Sequence, residues 1–167
     1  AFDGSLSSYA WTLLTIQHAQ LVQPALAPNR QENCPSKPLS FQGKTFDVGF
    51  NDDDFKTENT QSLASLLISF FDRYATRWDW ESMVVSIRNG KAHSTKAKKW
   101  NHTGPLPLEV VTGVDDGRME HVMPIEDPFD HEHDLSRVVR AEGAMSIQDE
   151  FMRAITMLSE GKSWHDI

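Results

Sequence analysis

The sequence predicts an α+β domain, mainly helical, with a small β-sheet. Three observations predict it: apolar stripes at helical spacing in residues 5–23 and 61–77, a further one after residue 146, and a short β-branched run, Val84-Val85-Ser86-Ile87. The 167 residues suit a single domain over 1–167, and 39% hydrophobic with 24% charged residues is the balance of a chain that packs a core.

Residues 5–23 read as the first helix. Leu6, Tyr9, Ala10, Leu13 and Ile16 recur every three or four positions, Ser5 serves as N-cap, and Pro24 disfavours helical geometry at Gln23 and ends the run. Residues 24–58 follow as a long loop, punctuated by Pro24, Pro28, Pro35, Pro38, Gly43 and Gly49, with an extended piece at 45–50. A loop this long inside a compact domain is usually functional or packed on something else.

The next helix, 61–77, is capped by Asn59 or Thr60 and carries Leu63, Leu66, Leu67, Phe70, Phe71 and Tyr74. This is the strongest apolar face in the sequence, so the helix is expected at the centre of the core, with Arg73 and Arg77 at the negative end of its dipole. Residues 83–88 read as a strand ended by the turn Asn89-Gly90, and 122–125 as a second short strand. Beyond Pro128, the residues Leu135, Val138 and Val139 predict a short helix ending near Gly143. Ser146 then opens a last helix through a capping box with Asp149, and Gly161 stops it.

Composition narrows the function classes. A single cysteine, Cys34, excludes a disulfide framework within the chain and a multi-cysteine zinc finger. It favours a reducing compartment, so an intracellular location is expected, the cytoplasm ahead of mitochondrion or nucleus. No apolar run reaches the roughly 18–20 residues of a membrane span, and no membrane partner is expected. The formal charge of −8 argues against a protein that grips nucleic acid over its whole surface. The charge is uneven, however: residues 73–99 carry a balance of +5 and residues 109–150 one of −9. In the basic stretch Arg88, Lys91, Lys96, Lys98 and Lys99 either meet RNA phosphates or form a solvated face.

No dinucleotide or Walker loop, nucleophile elbow or catalytic cysteine setting is found, and Asp52-Asp53-Asp54 reads as a solvated loop rather than a cation site. The unusual stretch is Ile125-Glu126-Asp127-Pro128-Phe129-Asp130-His131-Glu132-His133-Asp134. One reading is structural: Asp127-Pro128 turns, Phe129 anchors the turn to the core, and Asp130 or Asp134 caps the next helix. A second is a rim of carboxylates and imidazole that reads the edge of a base, since His and Asp together offer donor and acceptor. Metal binding through His131 and His133 is a third, without an identified further ligand.

Five stretches, in this order, carry a resemblance. They are Leu6-Ser7-Ser8-Tyr9-Ala10; Phe46-Asp47-Val48-Gly49-Phe50; Asn59-Thr60-Gln61-Ser62-Leu63 with Phe70, Phe71 and Tyr74; Val84-Val85-Ser86-Ile87-Arg88; and Ile125 to Phe129 continuing through His133 to Arg137. Together they resemble the central, poly(A)-polymerase-associated domain of non-canonical RNA terminal nucleotidyltransferases, the terminal uridylyltransferases above all. The resemblance implies roles for matching positions. Tyr9 would stack on the uracil ring, Ser8 would contact the triphosphate, and His133 would favour UTP over ATP. Asp127 and Asp130 would lie on the uracil side; Asp130 stands where relatives carry the longer Glu, and Asp134 where Asn is common. Asn59 is expected to cap its helix rather than touch ligand.

The resemblance further implies partners and cofactors: UTP as substrate, an RNA 3′ end as acceptor, and Mg2+ or Mn2+ held by three carboxylates of a nucleotidyltransferase palm. Nothing here matches the Gly-Ser turn and Asp-x-Asp of that palm, so no catalytic residue and no metal ligand is assigned to this chain, and on its own it is expected to be inactive. The catalytic domain, from the same gene or a separate chain, is therefore an expected partner. The alternatives are a poly(A) polymerase of the same family, which would lack a histidine at the base edge, and a catalytically dead RNA- or protein-binding module of the same fold. An unrelated helical interaction domain is the reading from another class.

Overall fold

The structure, a computed structural model, describes residues 5–88, 93–94, 100 and 121–162. Helix α1 spans Ser8–Leu21, and a hairpin of β1 (Pro38–Phe41) and β2 (Lys44–Asp47) follows. Next come α2 (Leu63–Asp72), continued by a π-helical turn at Arg73–Arg77, the pair β3 (Met83–Val84) and β4 (His93–Ser94), and α3 (Ala141–Ser159). Both strand pairs are antiparallel. The architecture is α+β with helices in the majority, as expected.

The first helix begins slightly later than the sequence suggests. Ser7, not Ser5, caps it: the Ser7 hydroxyl accepts from the Ala10 amide at 3.2 Å. Within the long loop the extended piece is a full hairpin. Its tip, Gln42-Gly43, has positive φ at both positions (49° and 78°), the turn geometry that matches the twist of paired strands. Gly43 adopts it without strain.

Helix α2 departs most from expectation. None of its residues is buried, and Leu63 is 80% exposed. Its cap is Ser62, whose hydroxyl accepts from Ser65; Asn59 instead donates to the Pro24 carbonyl and accepts from Gln61, tying the loop to the end of α1. Periodicity counts apolar groups on a face but not the surface available to cover them, and here the cover goes elsewhere.

The core forms around α1. Ala10, Leu13 and Leu14 pack with Tyr74, Val85 and Ile125, all at most 2% exposed. Helices α2 and α3 close on this centre through aromatic edges: Phe70 meets Tyr74 at 5.0 Å between ring centres, and Phe70 and Phe71 meet Phe151 at 6.0 and 5.8 Å. The buried Tyr74 hydroxyl shares its proton between the Leu14 carbonyl and Gln17 Oε1, each at 3.0 Å, and burial pushes its pKa well above the usual phenol value. Gln17 Nε2 in turn donates to the Ser86 carbonyl at 3.3 Å.

Helix α3 also corrects the sequence reading. It runs from Ala141 straight through Gly143, so the short helix ending there does not form. Ser146 is no cap; its hydroxyl donates to the Glu142 carbonyl inside the helix. The N-cap position is Arg140, with no side-chain bond, so neither Asp130 nor Asp134 caps this helix. A buried phenylalanine and two buried alanines, Phe151, Ala144 and Ala154, outweigh one interior glycine, which costs about 1 kcal/mol. The expected stop does hold: Gly161 at φ 75° lets its own amide reach Leu158 and the Lys162 amide reach Met157, a Schellman closure.

The expected strand at 83–88 is shorter, β3 plus a parallel bridge from Val85 to Ile125, and that bridge is what remains of the strand expected at 122–125. The turn at Asn89-Gly90 lies outside the described residues.

His18 on α1 faces Arg73: its Nδ1 accepts from Arg73 Nε at 3.2 Å and its Nε2 pairs with Ser69 Oγ at 3.1 Å. Burial first, then the Arg73 charge, lower its pKa to about 4. The unfolded chain therefore takes up this proton near pH 6.5 and the folded chain only near 4, so this contribution to stability is complete above the upper value and falls as pH drops through the window. Urea midpoints measured between pH 7 and 4 should fall more steeply for the natural chain than for His18→Gln; parallel curves would contradict a neutral buried imidazole.

Candidate functional site

The stretch that stood out in the sequence folds as a turn on a narrow neck. Two backbone bonds join its legs: Leu135 N donates to the Ile125 carbonyl at 2.9 Å and Asp127 N to the His133 carbonyl at 3.1 Å. Glu126 and Asp134 face each other as an antiparallel bridge. The neck is fastened to the core by Val85, whose amide donates to Pro124 and whose carbonyl accepts from Glu126, both at 2.9 Å. Pro124, Ile125 and Glu126 are all buried, so the neck is rigidly seated.

The tip is shaped by Asp127. Its Oδ1 accepts from the Phe129 amide at 2.8 Å and the Asp130 amide at 3.1 Å, and the Asp130 carbonyl then accepts from His133 N at 2.9 Å. One oxygen of Asp127 is thus committed to the turn; Oδ2 has no bond among the described residues. Phe129 is 41% exposed and does not anchor the turn; Pro128, which is buried, does. The long loop braces this tip from one side. Gln31 Nε2 donates to the Pro128 carbonyl at 3.0 Å, and Lys44 at the start of β2 lies 3.7 Å from Asp130 Oδ2.

Tyr9 meets the turn from α1. A cavity of about 350 Å3 opens between them, with Tyr9, Leu13 and Ile16 on one wall and Phe50, Pro128 and Phe129 on the other, and its lining is almost wholly apolar. Burial first, then the Asp127 carboxylate, raise the Tyr9 pKa, which places that charge close to the phenol. Tyr9 is nonetheless 41% exposed, so a face of the ring remains open. His133 is one hydrogen bond from Asp127. Ser8, exposed, is the first residue of α1, where unpaired amides and the positive end of the helix dipole attract anions. Tyr9 and the tip thus share one cleft, with Ser8 at its helix end and His133 at the base of the tip.

The basic residues separate. Arg88 Nη1 lies 3.4 Å from Oε1 of the buried Glu126, so its charge is engaged inside the protein. Lys91, Lys96, Lys98 and Lys99 lie outside the described residues. Among the described residues no three His, Cys, Asp or Glu side chains gather as metal ligands, so the donor set here does not fit the two-metal centre that the resemblance implies. None of the described helices is long and apolar enough to cross a membrane.

The sequence profile described as Cid1 family poly A polymerase matches residues 62–133, from the cap of α2 to the histidine that closes the turn. Terminal uridylyltransferase cid1 of Schizosaccharomyces pombe is 32% identical over 167 residues, covering 95% of this chain and 39% of its own length. This chain belongs to the Cid1 family. Poly(A) RNA polymerase GLD2 of Homo sapiens is 26% identical over 167 residues, 99% of this chain and 29% of that protein. A structure of Cid1 in complex with the UTP analog UMPNPP superimposes with a TM-score of 0.76 at 29% identity, covering 95% of this chain and 47% of that one. The chain therefore spans less than half the length of the relatives it matches, all of them RNA nucleotidyltransferases.

Two supports of this Cid1-family site carried no sequence signal. Gln31 sits in a proline-punctuated loop with no periodicity, and Lys44 belongs to a hairpin read only as an extended piece. Only the fold brings them to the turn. If Asp127 both shapes the tip and charges the cleft, Asp127→Asn should keep the turn through its amide oxygen while the Tyr9 phenol titrates lower than in the natural chain. With only two tyrosines, ring NMR signals followed with pH resolve this, and an unmoved Tyr9 titration would contradict the proximity.

Proposed function

We propose that this chain is the base-recognition part of an RNA 3′-terminal uridylyltransferase, taking UTP as substrate and an RNA 3′ end as acceptor. The observation that carries the reading is the shared cleft of Tyr9 and the 127–133 turn, in a family member similar to a protein solved with a UTP analog. An aromatic face contributes about 1–3 kcal/mol per stacked base without discriminating among bases. Discrimination falls to the polar rim. Uracil offers O4 as acceptor and N3–H as donor; the His133 imidazole suits the first and the Asp127 or Asp130 carboxylate the second, directly or through water. Adenine turns an exocyclic amine toward the same imidazole and finds it less favourable. Ser8 and the first amides of α1 suit the triphosphate.

Nucleotidyl transfer itself requires carboxylates that the described residues do not assemble. Divalent ions, Mg2+ or Mn2+, would be held by a nucleotidyltransferase domain outside this chain and would activate the 3′-hydroxyl and stabilise the leaving pyrophosphate. The chain alone is accordingly proposed to be inactive. Its single cysteine suits the cytoplasm. Similarity to poly(A) RNA polymerase GLD2 supports a second reading, adenylyl transfer, against which His133 at the rim argues.

The complete protein, assayed with an RNA primer and each nucleotide in turn, tests this. It should favour UTP in kcat/KM, and an equal or greater value for ATP would overturn the uridylyl reading. His133→Ala should reduce the UTP-to-ATP ratio by about tenfold or more, roughly 1.4 kcal/mol, while general activity persists; an unchanged ratio would count against the rim. Tyr9→Ala should raise KM for every nucleotide alike, and a rise confined to UTP would contradict simple stacking.

A further inference from the structure

Behind the turn, on the side away from the cleft, lies a buried network that the base-reading account does not use. Asp134 is 2% exposed, and its Oδ1 accepts three hydrogen bonds: from Ile125 N at 3.0 Å, Ser136 N at 2.9 Å and Ser136 Oγ at 2.8 Å. Its Oδ2 pairs with His121 Nδ1 at 2.6 Å, and the His121 side chain is 7% exposed. The His121 ring lies flat against Trp100, with ring centres 5.0 Å apart and planes 11° from parallel, and Trp100 is itself buried. An imidazole held this way can turn only one nitrogen toward the carboxylate.

Geometry links this network to the readers. In a bridged, extended segment neighbouring side chains point to opposite sides. Glu126 and Asp134, directly opposed, both point inward; Asp127 and His133, next to them along each leg, belong to the tip. Two carboxylates facing each other in a dry neck repel, and each needs its own partner to stay ionised there. Arg88 supplies one, at 3.4 Å from Glu126, and His121 the other. Losing His121 would leave an incompletely compensated buried carboxylate next to the backbone that aims His133.

We infer that His121, clamped by Trp100, is a positioning residue for base selection: by holding Asp134 it fixes the neck from which Asp127 and His133 meet the base. It touches no substrate. The inference rests on the uridylyl reading of the same site and goes beyond it, to the residue that sets the aim of the rim.

The test uses the complete enzyme with an RNA primer and measures kcat/KM for UTP and for ATP. His121→Phe keeps a flat ring against Trp100 and removes the nitrogen that faces Asp134. It should lower the UTP-to-ATP ratio by about tenfold with ATP incorporation retained. His121→Asn, whose amide can stand where Nδ1 stood, should recover most of the ratio. A purely structural role would reduce both nucleotides in step, so an unchanged ratio in His121→Phe overturns the inference while leaving the uridylyl reading intact. If His121→Phe does not fold, Asp134→Asn puts the same question, since it keeps the acceptor oxygen and replaces the oxygen that meets His121; an unchanged ratio there overturns the inference equally. A natural enzyme without preference for UTP removes the uridylyl reading itself, and this inference with it.

Discussion

The side-chain amide of Gln17 joins the parts of this molecule that have to be in register. Its oxygen takes the proton of Tyr74 and its nitrogen donates to Ser86, so one fully buried group bonds the end of the α2 segment and the β3 strand to α1. Tyr9 is two turns upstream on the same α1. Val85, beside Ser86, is the backbone to which the 125–135 neck is fastened. The distance between the stacking ring and the polar turn is therefore set by this buried amide, one bond removed from each wall of the cleft. A buried amide with all its partners made is rigid and intolerant of rearrangement, because any displacement strands a donor or an acceptor away from water.

Around that constraint the site divides its work between two kinds of chemistry. The cleft walls are apolar and contribute contact; the polar groups are few and lie on the tip, where backbone bonds rather than packing fix them. Asp127 serves both ends, shaping the turn with one oxygen and charging the cleft that holds Tyr9. This is an economical basis for selectivity, since a base that fails to satisfy the rim leaves desolvated polar groups unpaired, whereas a poorly fitting ring loses only part of its stacking.

Much of this was readable in advance, for reasons that differ by element. Helix α1 and the Gly161 stop follow from local chemistry, the periodic apolar run and the left-handed glycine. The turn at 125–134 announced itself because acids, histidines and a proline crowd a segment that apolar residues precede. The role of α2 was not readable: Leu63 and its neighbours look like a core face, yet burial depends on which surfaces arrive to cover them. Asp134 was equally opaque. A carboxylate in a turn reads as a cap, and only the three-dimensional arrival of Ile125, Ser136 and His121 shows that it closes the neck. Non-local partners such as Gln31 and Lys44 leave no periodic trace.

The π-helical turn at Arg73–Arg77 carries a consequence for how the chain tolerates changes in length. Its wide loop, with the Trp78 amide reaching back to the Arg73 carbonyl at 2.8 Å, holds one residue more than an α-helical turn would. Removing a single residue here would let the ladder tighten into ordinary helix and rotate everything beyond it by about 100° around the axis. Trp80, whose indole now donates to the Tyr74 carbonyl, would be carried off its partner, and the strand that follows would leave the helix at a different angle. The extra residue thus acts as a phase setting, aligning a helix that counts in 3.6 residues with a strand that must arrive at a fixed place.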